Sequence, residues 1–587
     1  MLSSSHQNQF IALLLTFIAT FLTACDPTLI EGAALERSQV VQSVLSDPKT
    51  FNAILSQESP NVFGLTYEGL VKENPLTGKI EPELAESWEI SDNEQEITFT
   101  LREGLKWSDG EPLTADDVVF TYNDLILNPD IPNNIRDSLR IGESGEFPTV
   151  EKIDDLRVKF TVPEPFAPFL QAAGSSIMPK HALQESVEKT DSDGTPVFLN
   201  KWGVDTPPED IIVNGRYKLA NYATSERVTF QKNPYYWKKD ENGNQLPYID
   251  RVIWQIVENQ DTALLQFRSG DLDSIGVSPE YFSLLKQEED RGNFTIHNGG
   301  PQYGTRFIGF NLNTGSRDGE PLVDPVKSRW FNNVNFRKAI AYGINRQQMI
   351  NNIHRGLGEP QNSPISVQSP FYQEDVTTYD YDLEKAEELL FNEGFEYNDN
   401  GNLVDEEGNR VRFTLITNAG NQTREAMGAQ IKQNLDKLGI TVDLNPMQFN
   451  VLVNKLSNSL DWECHLLGFT GGNEPHFGIN LWRVDGNLHT FNQAPRGDAE
   501  SLEGREIRDW EKEIEQLYID ASRELDEEKR KELYGKAQEI VQDKLPYIYL
   551  VNPLSLAAVR DQIEGIEYSA LGGAFWNIEE LQLSVDE

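Results

Sequence analysis

Three histidines, His465, His476 and His489, lie close together in the sequence and could supply imidazole ligands to a metal ion. Metal sites built on one helix place two such ligands three or four residues apart. Here the spacings are 11 and 13 residues, which match no compact ligand pattern. The sequence therefore predicts no metal site at these histidines.

Sequence motifs for hydrolytic or nucleotide chemistry do not occur in the chain. It contains no G-x-S-x-G elbow, no H-E-x-x-H pair, no Walker loop and no paired-cysteine motif. We therefore expect that the protein is not an enzyme and that it needs no cofactor.

The segment from Glu396 to Glu407 looks like a calcium loop at first inspection, because Asn398, Asn400 and Gly401 follow the first acid. It opens with Glu instead of Asp, and it leads into an alternating strand instead of a helix. A glycine-containing β-hairpin is the better prediction.

The elements that must position any site alternate between helices and strands. Met427, Ile431, Leu435 and Leu438 recur at helical spacing, and Gly439 ends that helix before a strand at residues 440–444. The chain carries two further helical stripes, at Phe336, Ile340 and Ile344 and at Leu383, Ala386 and Leu390. Helix, glycine and strand in succession indicate an α/β layer.

A small antiparallel sheet that leads into a helix is predicted nearer the N-terminus. Ile97, Phe99 and Leu101 alternate with polar residues, as in a half-buried strand. Further on, Thr114 and Asp117 form a helix-starting box ahead of an apolar run.

Residues 65–121 carry motifs that resemble the signature of the family 5 extracellular solute-binding proteins. The motifs are YEGL, P-x-L-A-x-S-W, T-F-x-L-R-x-G-x-K-W-x-D-G and T-x-D-D-V-V-F, in the family's order and spacing. This family comprises the oligopeptide, dipeptide and nickel receptors of ABC importers. The resemblance runs from about Val40 to the C-terminus and implies a two-lobed α/β periplasmic binding protein of class II, with an extra subdomain in the first lobe.

The resemblance also implies boundaries for the two lobes. Residues 306–312 and 545–550 look like the two strands that cross between the lobes, so they would form a hinge. The expected parts are a signal peptide at 1–24, a linker at 25–39, a first lobe at 40–305 plus 545–587 with the extra subdomain at 72–205, and a second lobe at 306–544.

Residues 466–475, LLGFTGGNEP, form the segment that the resemblance assigns to ligand contact. Its extended backbone could pair with the main chain of a peptide, and an aromatic wall tolerates many side chains. Glycine lets two backbones approach closely. The expected contacts are Phe469, Thr470, Gly471, Gly472, Asn473 and Glu474.

One departure from the family pattern concerns the ligand's charge. In peptide-binding relatives an Asp in this segment pairs with the α-ammonium, whereas here Gly471 and Gly472 occupy that region and the loop is one residue shorter. Either Glu474 supplies the carboxylate, or the ligand is not an ordinary peptide. A tight turn at the two glycines is a third interpretation, which leaves the ligand class open.

Other candidate contacts flank this segment or lie near the N-terminus. His476 and Trp482 follow the glycines, and aromatic residues there could line a pocket. Phe51, Asn52 and Ser56 lie in a segment similar to the family's Leu-Asp-Pro opening. Core packing is the alternative for Trp482 and for these three residues.

The N-terminus predicts export and a lipid anchor. Residues 10–22 are apolar but too few to span a bilayer, and they end in Leu22-Thr23-Ala24-Cys25, which resembles a lipobox. The resemblance implies cleavage before Cys25 and acylation of that residue, which would hold the protein at the periplasmic face of the cytoplasmic membrane, or at the cell surface where there is a single membrane. The first nine residues lack Lys and Arg, and an uncleaved anchor helix is the alternative.

Composition excludes nucleic acid as a partner. The chain has 51 Lys and Arg against 94 Asp and Glu, a net charge of −43, which repels phosphate backbones. It has only two cysteines, so lipidation of Cys25 would leave Cys464 without a disulfide partner.

Together these features predict a monomeric, lipid-anchored receptor that delivers an oligopeptide-like solute to an ABC permease and its ATPase. One alternative is a receptor for a non-peptide solute, such as a metal chelate or a sugar conjugate. The other is a sensor lipoprotein that reports its closed state to a signalling partner.

Overall fold

The computed structural model describes residues 38–55, 60–133, 135–142, 144–495 and 501–584. The predicted signal peptide, Cys25 and Ser56 lie outside these residues. Within them, no helix combines the length and the apolar character needed to cross a bilayer.

A five-stranded mixed sheet lies at the centre of the C-terminal half. Four of its strands run in one direction, and Phe307–Phe310 runs antiparallel to both its neighbours. Every residue of Phe307–Phe310 is buried, as expected for a strand covered on both faces. The strand order is Thr441–Met447, Arg412–Asn418, Cys464–Leu467, Phe307–Phe310 and Tyr547–Tyr549.

Helices accompany this sheet where the apolar spacing predicts them. The helix Gln422–Asp436 buries Met427, Ile431 and Leu435, and Gly439 follows it with a φ of 68°. The helices Val334–Gly343 and Leu383–Asn392 confirm the other two predicted stripes.

Two four-stranded sheets form most of the N-terminal half. In the strand Glu96–Leu101, Ile97, Phe99 and Leu101 are buried in alternation, which confirms the predicted pattern. Thr114 and Asp117 form the predicted capping box. One sheet has the order Gln39–Val44, Arg251–Ile256, Arg227–Lys232 and Tyr217–Ala223, and the other has the order Ala85–Ile90, Glu96–Leu101, Arg157–Thr161 and Thr149–Lys152.

A further sheet joins the two halves through one long strand, Val551–Arg560. Its first residues pair with Gly358–Pro360, and the remainder pairs with Phe294–Pro301 and Ser274–Gly276. Beside it, the Gln302 amide donates to the Pro553 carbonyl at 2.9 Å. The chain segments that cross between the halves therefore run side by side.

The smaller elements complete the described chain. Glu396–Tyr397 pairs with Leu403–Val404, which confirms the predicted hairpin in place of a calcium loop. The other two-stranded ladders are Val71–Glu73 with Ile80–Pro82, Ser316–Arg317 with Glu320–Pro321, and Ile563–Glu564 with Gln582–Leu583. The remaining α-helices are Phe63–Thr66, Ala115–Phe120, Ile135–Ser138, Phe169–Ala172, Lys180–Glu188, Gln260–Ser269, Pro279–Gly292, Pro325–Asn332, Arg346–Asn352, Phe449–Asn454, Asp509–Arg523 and Glu527–Lys544. The 3-10 helices are Val197–Asn200, Pro208–Asp210, Pro475–Leu481 and Thr490–Asn492, and Thr121–Ile126 and Lys455–Ser459 are π-helical.

Buried apolar side chains form separate clusters in the two halves. One cluster extends from Val40 to Val252 and includes side chains near the C-terminus such as Ile578 and Leu581. Another extends from Phe307 to Val551. A smaller cluster lies around Phe267 and Leu285.

Candidate functional site

The predicted contact segment leaves the strand Cys464–Leu467 and runs extended beside residues 303–305. The Thr305 amide donates to the Phe469 carbonyl at 2.9 Å, and the Phe469 amide donates to Thr305 Oγ1 at 3.3 Å. A Cβ on Gly471 would lie 2.0 Å from the Tyr303 carbonyl oxygen, so only glycine allows this approach.

Past Phe469 the main chain is unpaired. The backbone amides and carbonyls of Thr470, Gly471 and Gly472 make no hydrogen bond to any other part of the chain that the structure describes. Neither glycine has a positive φ, and residues 470–472 form no hydrogen-bonded turn, so the structure does not favour a tight turn at the two glycines. Backbone groups are strong donors and acceptors, and they are rarely left without a partner.

This free main chain borders a cavity of about 330 Å³, which we call the aromatic cavity. Its volume is in the lower range of small-molecule sites. Of the predicted contacts, Phe469, Thr470, Gly471, Gly472, Glu474 and Trp482 line it. Its other lining residues are Tyr303, Thr305, Pro364, Ile365, Ser366, Pro475, Phe477, Gly478, Leu481, Leu488, Tyr518 and Tyr549.

The aromatic cavity presents no unbalanced charge. The Glu474 carboxylate accepts two hydrogen bonds from Arg530 Nη2, at 2.7 and 2.8 Å, and one from the Tyr534 hydroxyl at 3.1 Å. Glu474 also accepts from the His476 amide and so starts the helix Pro475–Leu481. Its carboxylate is therefore already paired within the protein.

The tyrosines of this cavity are also neutral. Burial raises the pKa of Tyr518 and of Tyr549, so both phenols keep their protons at neutral pH. The lining thus offers aromatic faces and hydroxyl groups.

A second cavity, of about 400 Å³, lies on the other side of the same segment, and we call it the arginine cavity. It contains Arg306 and Arg424, and neither forms an ion pair with a described carboxylate. Burial and the charge of Arg424 lower the pKa of Arg306 to about 10, and burial lowers the pKa of Arg424. The guanidinium of Arg424 lies near Gly468, where an added Cβ would be 3.5 Å from Nη2.

Asn473 and His476 lie behind the aromatic cavity, at contacts between the two halves. The Asn473 side-chain amide donates to Glu73 Oε1 at 2.6 Å. The His476 ring is buried and packs edge-on against Phe166, with 4.9 Å between ring centroids. Neither residue lines the cavity.

Phe51 and Asn52 lie in the N-terminal core. Phe51 packs against Tyr222, and Asn52 is fully buried and donates to the Lys201 carbonyl. They line neither the aromatic nor the arginine cavity. Ser56 lies outside the described residues.

Trp482 is almost fully buried and lines the aromatic cavity while it packs against Tyr518. The other two histidines of the triplet have separate partners. His465 Nε2 lies 3.2 Å from Thr490 Oγ1, and His489 Nε2 lies 3.0 Å from Glu511. No group of three or more His, Cys, Asp or Glu side chains that could hold a metal ion occurs in the described residues.

Sequence reasoning missed both arginines, Tyr303, Tyr518 and Glu73. Arg306 begins the crossing strand expected at 306–312, and Tyr303 lies three residues before it, which was the available signal. A third cavity of about 660 Å³ also escaped prediction, and it is lined by polar residues at three helix starts, near Asn259, Ser278 and Asn421.

Known proteins resemble this chain over most of its length. A family model, bacterial extracellular solute-binding proteins, family 5 Middle, matches residues 79–488. A probable ABC transporter-binding protein of Deinococcus radiodurans is 29% identical over 548 residues, which are 89% of this chain and 88% of that protein.

Two solved structures share the fold. The oligopeptide-binding protein AppA of Bacillus subtilis, in complex with a nonapeptide, matches with a TM-score of 0.71 at 22% identity, over 93% of this chain and 99% of AppA. The periplasmic binding protein MelB of Agrobacterium fabrum, in complex with stachyose, matches with a TM-score of 0.76 at 23% identity, over 94% of this chain and 85% of MelB. The predicted periplasmic-binding-protein fold is confirmed.

Proposed function

Because this chain belongs to the bacterial extracellular solute-binding proteins of family 5, we propose that it captures an oligopeptide-like solute in the cleft beside residues 468–472. Members of this family are transport receptors and not enzymes, and the chain is the substrate-binding component of an ABC transporter for peptides or related solutes. The narrower choice of ligand is our proposal.

The unpaired main chain of residues 470–472 is the observation that carries it. Three consecutive residues expose amide donors and carbonyl acceptors beside a cavity, and a second extended backbone satisfies such groups at regular spacing. Recognition through the main chain does not depend on the ligand's sequence. The aromatic cavity would then hold one apolar side chain of the ligand.

Arg306 and Arg424 support a ligand with a carboxylate. Two guanidinium groups without a described acidic partner repel each other, and a bound carboxylate would relieve that repulsion through charge-assisted hydrogen bonds. The C-terminus of a peptide has this chemistry.

The same proposal includes two lobes and a hinge. The boundaries are those given above, with a first lobe at 40–305 plus 545–587, which contains the extra subdomain at 72–205, and a second lobe at 306–544. The separate apolar clusters and the paired crossing segments around Gln302 and Pro553 support this division.

Capture would proceed by closure of the lobes over the ligand. Contacts between residues 164–167 and the end of helix Asp509–Arg523 support a closed arrangement, since Glu164 pairs with Arg523 at 2.6 Å and the Ala167 amide donates to the Ser522 carbonyl at 2.8 Å. The closed receptor would then pass its solute to a permease driven by a separate ATPase. Lipidation of Cys25 would keep a monomeric receptor at the membrane face.

A sugar conjugate is the second candidate ligand. Neutral aromatic faces with hydroxyl groups suit a sugar as well as an apolar side chain, and MelB, which shares the fold, is in complex with stachyose. The arginine cavity is the feature that such a neutral ligand would leave unused.

Native mass spectrometry of the full-length protein, purified without unfolding, tests the proposal. We expect a bound mass that fragments into amino-acid residues, and we expect the Arg424→Met variant to lose most of it. A bound mass without amino-acid fragments, retained equally by Arg424→Met, would contradict the peptide assignment.

A further inference from the structure

Glu73 belongs to the extra subdomain and reaches across to the ligand-contact segment. It ends the strand Val71–Glu73, and its Oε1 accepts the 2.6 Å hydrogen bond from Asn473 Nδ2. Its Oε2 accepts a hydrogen bond from Gln171 Nε2 at 2.8 Å. Two neutral amides therefore hold this carboxylate in place.

No cation in the described part of the chain balances the Glu73 charge. Among the described residues, no Lys, Arg or His lies within ion-pair distance of it, and the adjacent Lys72 pairs with Glu83 and Glu579 instead. Burial raises the pKa of Glu73, and the nearby Glu474 carboxylate adds to that rise. A partly buried carboxylate without a counter-charge is costly unless something else supplies one.

The Glu73 carboxylate lies close to the cleft beside residues 468–472. Its partner Asn473 directly follows the unpaired residues 470–472. Burial and the Glu73 carboxylate together raise the pKa of Tyr303, a residue that lines both cavities. Glu73 therefore lies at one end of the free main chain, whereas Arg424 lies near Gly468 at the other end.

We propose that Glu73 binds an ammonium group of the solute. Glu73 would reach the cleft from the first lobe, whereas the two glycines belong to the second lobe. This inference rests on the proposed function and makes it more specific: the ligand is zwitterionic, with its ammonium at Glu73 and its carboxylate at the arginines. Glu474 cannot take this role while Arg530 holds its carboxylate.

The two charged ends also give the ligand a direction and a size. An ammonium near residue 473 and a carboxylate near residue 468 place the peptide antiparallel to the segment. Five residues of extended chain span roughly 16 Å, so a peptide of about four to six residues would reach from one end to the other.

A purely structural role for the Glu73–Asn473 hydrogen bond makes a different prediction. If Glu73 only helped to hold the lobes together, its loss would weaken every ligand equally. If Glu73 binds an ammonium, its loss affects only ligands with a free amine. N-acetylation removes that charge and leaves the rest of a peptide unchanged.

The test uses the full-length protein and a pool of synthetic tetra- to hexapeptides, each present in free and N-acetylated form. Retained peptides are measured by mass spectrometry for the wild type, for Glu73→Gln and for Glu81→Gln. Glu81 lies on the paired strand of the same hairpin. Glu81→Gln removes one negative charge, as Glu73→Gln does. We expect the wild type and Glu81→Gln to prefer free peptides by about 10- to 100-fold, and we expect Glu73→Gln to lose this preference.

Two outcomes overturn the inference without contradicting the peptide function. In the first, the wild type retains free and N-acetylated peptides equally. In the second, Glu73→Gln weakens the binding of both forms by the same factor. If the wild type retains neither form, the peptide function is contradicted. The ligand that co-purifies from the cell then tests the role of Glu73. An amine-bearing ligand that Glu73→Gln loses would support the inference, and an amine-free ligand would overturn it.

Discussion

At the scale of single residues, Glu474 lines the aromatic cavity although its charge is already balanced. Arg530 binds it through one guanidinium nitrogen, donates from Nε to the Ala521 carbonyl and lies over the Phe371 ring. A buried carboxylate left without its cation is strongly unfavourable. The pair therefore shapes the wall of the cavity and fixes the start of helix Pro475–Leu481.

Replacing Arg530 with Met should lower the free energy of unfolding by about 3–5 kcal/mol, because Glu474 would stay buried without a counter-charge. Urea unfolding of the empty protein measures this effect. Lys529→Met serves as the control, since Lys529 is exposed and its loss should cost about 0.5 kcal/mol or less. Equal losses in the two variants would contradict the structural role of the pair.

His476 makes stability depend on pH. Burial lowers its pKa to about 3, the Arg530 and Arg483 charges act in the same direction, and the Ser138 backbone opposes them. The folded state therefore keeps His476 neutral, while the unfolded chain takes up a proton below about pH 6.5. The stability that this neutral ring contributes is complete above pH 6.5 and is lost as the pH falls.

The variant His476→Phe should remove this loss. Relative to the wild type, its free energy of unfolding should rise by up to about 1.4 kcal/mol per pH unit as the pH falls from 6.5 to 4. Taking the difference cancels the contributions of all other titrating groups. If the free energies of unfolding of the variant and the wild type differ by the same amount at every pH in this range, His476 is not held neutral.

At the scale of elements, residues 468–472 continue a core strand out to the cleft, and Phe469 faces both cavities. Its ring packs against Phe307 at 5.1 Å between centroids but stays partly exposed. One side of the segment is thus anchored in the core, and the other side is open to the two cavities.

Phe469→Ala should weaken binding of the solute by about tenfold or more, because it removes the aromatic wall of both cavities. Unfolding of the empty protein should lose only about 1–2 kcal/mol, less than for a fully buried Phe. Phe391→Ala is the matched control, since Phe391 is partly exposed and lines neither cavity. A loss of stability near 4 kcal/mol with unchanged affinity would identify Phe469 as a core residue only.

Local patterns predicted these elements well, because burial follows periodicity within one helix or strand. The stripe from Met427 to Leu438 and the alternation around Phe99 needed no distant partner. Long-range pairing left no local signal. Glu73 and Asn473 are 400 positions apart, and Glu474 meets Arg530 only after an intervening helix folds back. The contact segment therefore stays a prediction, and the sequence carried no signal for Glu73 at its end or for the Glu474–Arg530 pair.

At the scale of the whole molecule, the proposed lipid anchor at Cys25 lies outside the part of the chain that the structure describes. Cys25→Ser should release the protein from membranes without altering its affinity, since Cys25 precedes the described fold, which begins at residue 38. The fraction that sediments with membranes measures this release, and Cys464→Ser is the control because Cys464 is buried and unpaired. Continued sedimentation of Cys25→Ser would refute the lipoprotein assignment.

The long strand Val551–Arg560 also dictates when the fold can be completed. Within the described chain, the sheet strands Phe294–Pro301 and Ser274–Gly276 pair only with this strand, and Ile578 and Leu581 belong to the N-terminal core. A chain emerging from a ribosome or a secretion pore thus lacks an essential part of its N-terminal half until nearly the last residue has appeared. We expect such a delay to keep the polypeptide unfolded during the proposed export, and loss of the final few dozen residues to leave these sheet strands and the N-terminal core incomplete.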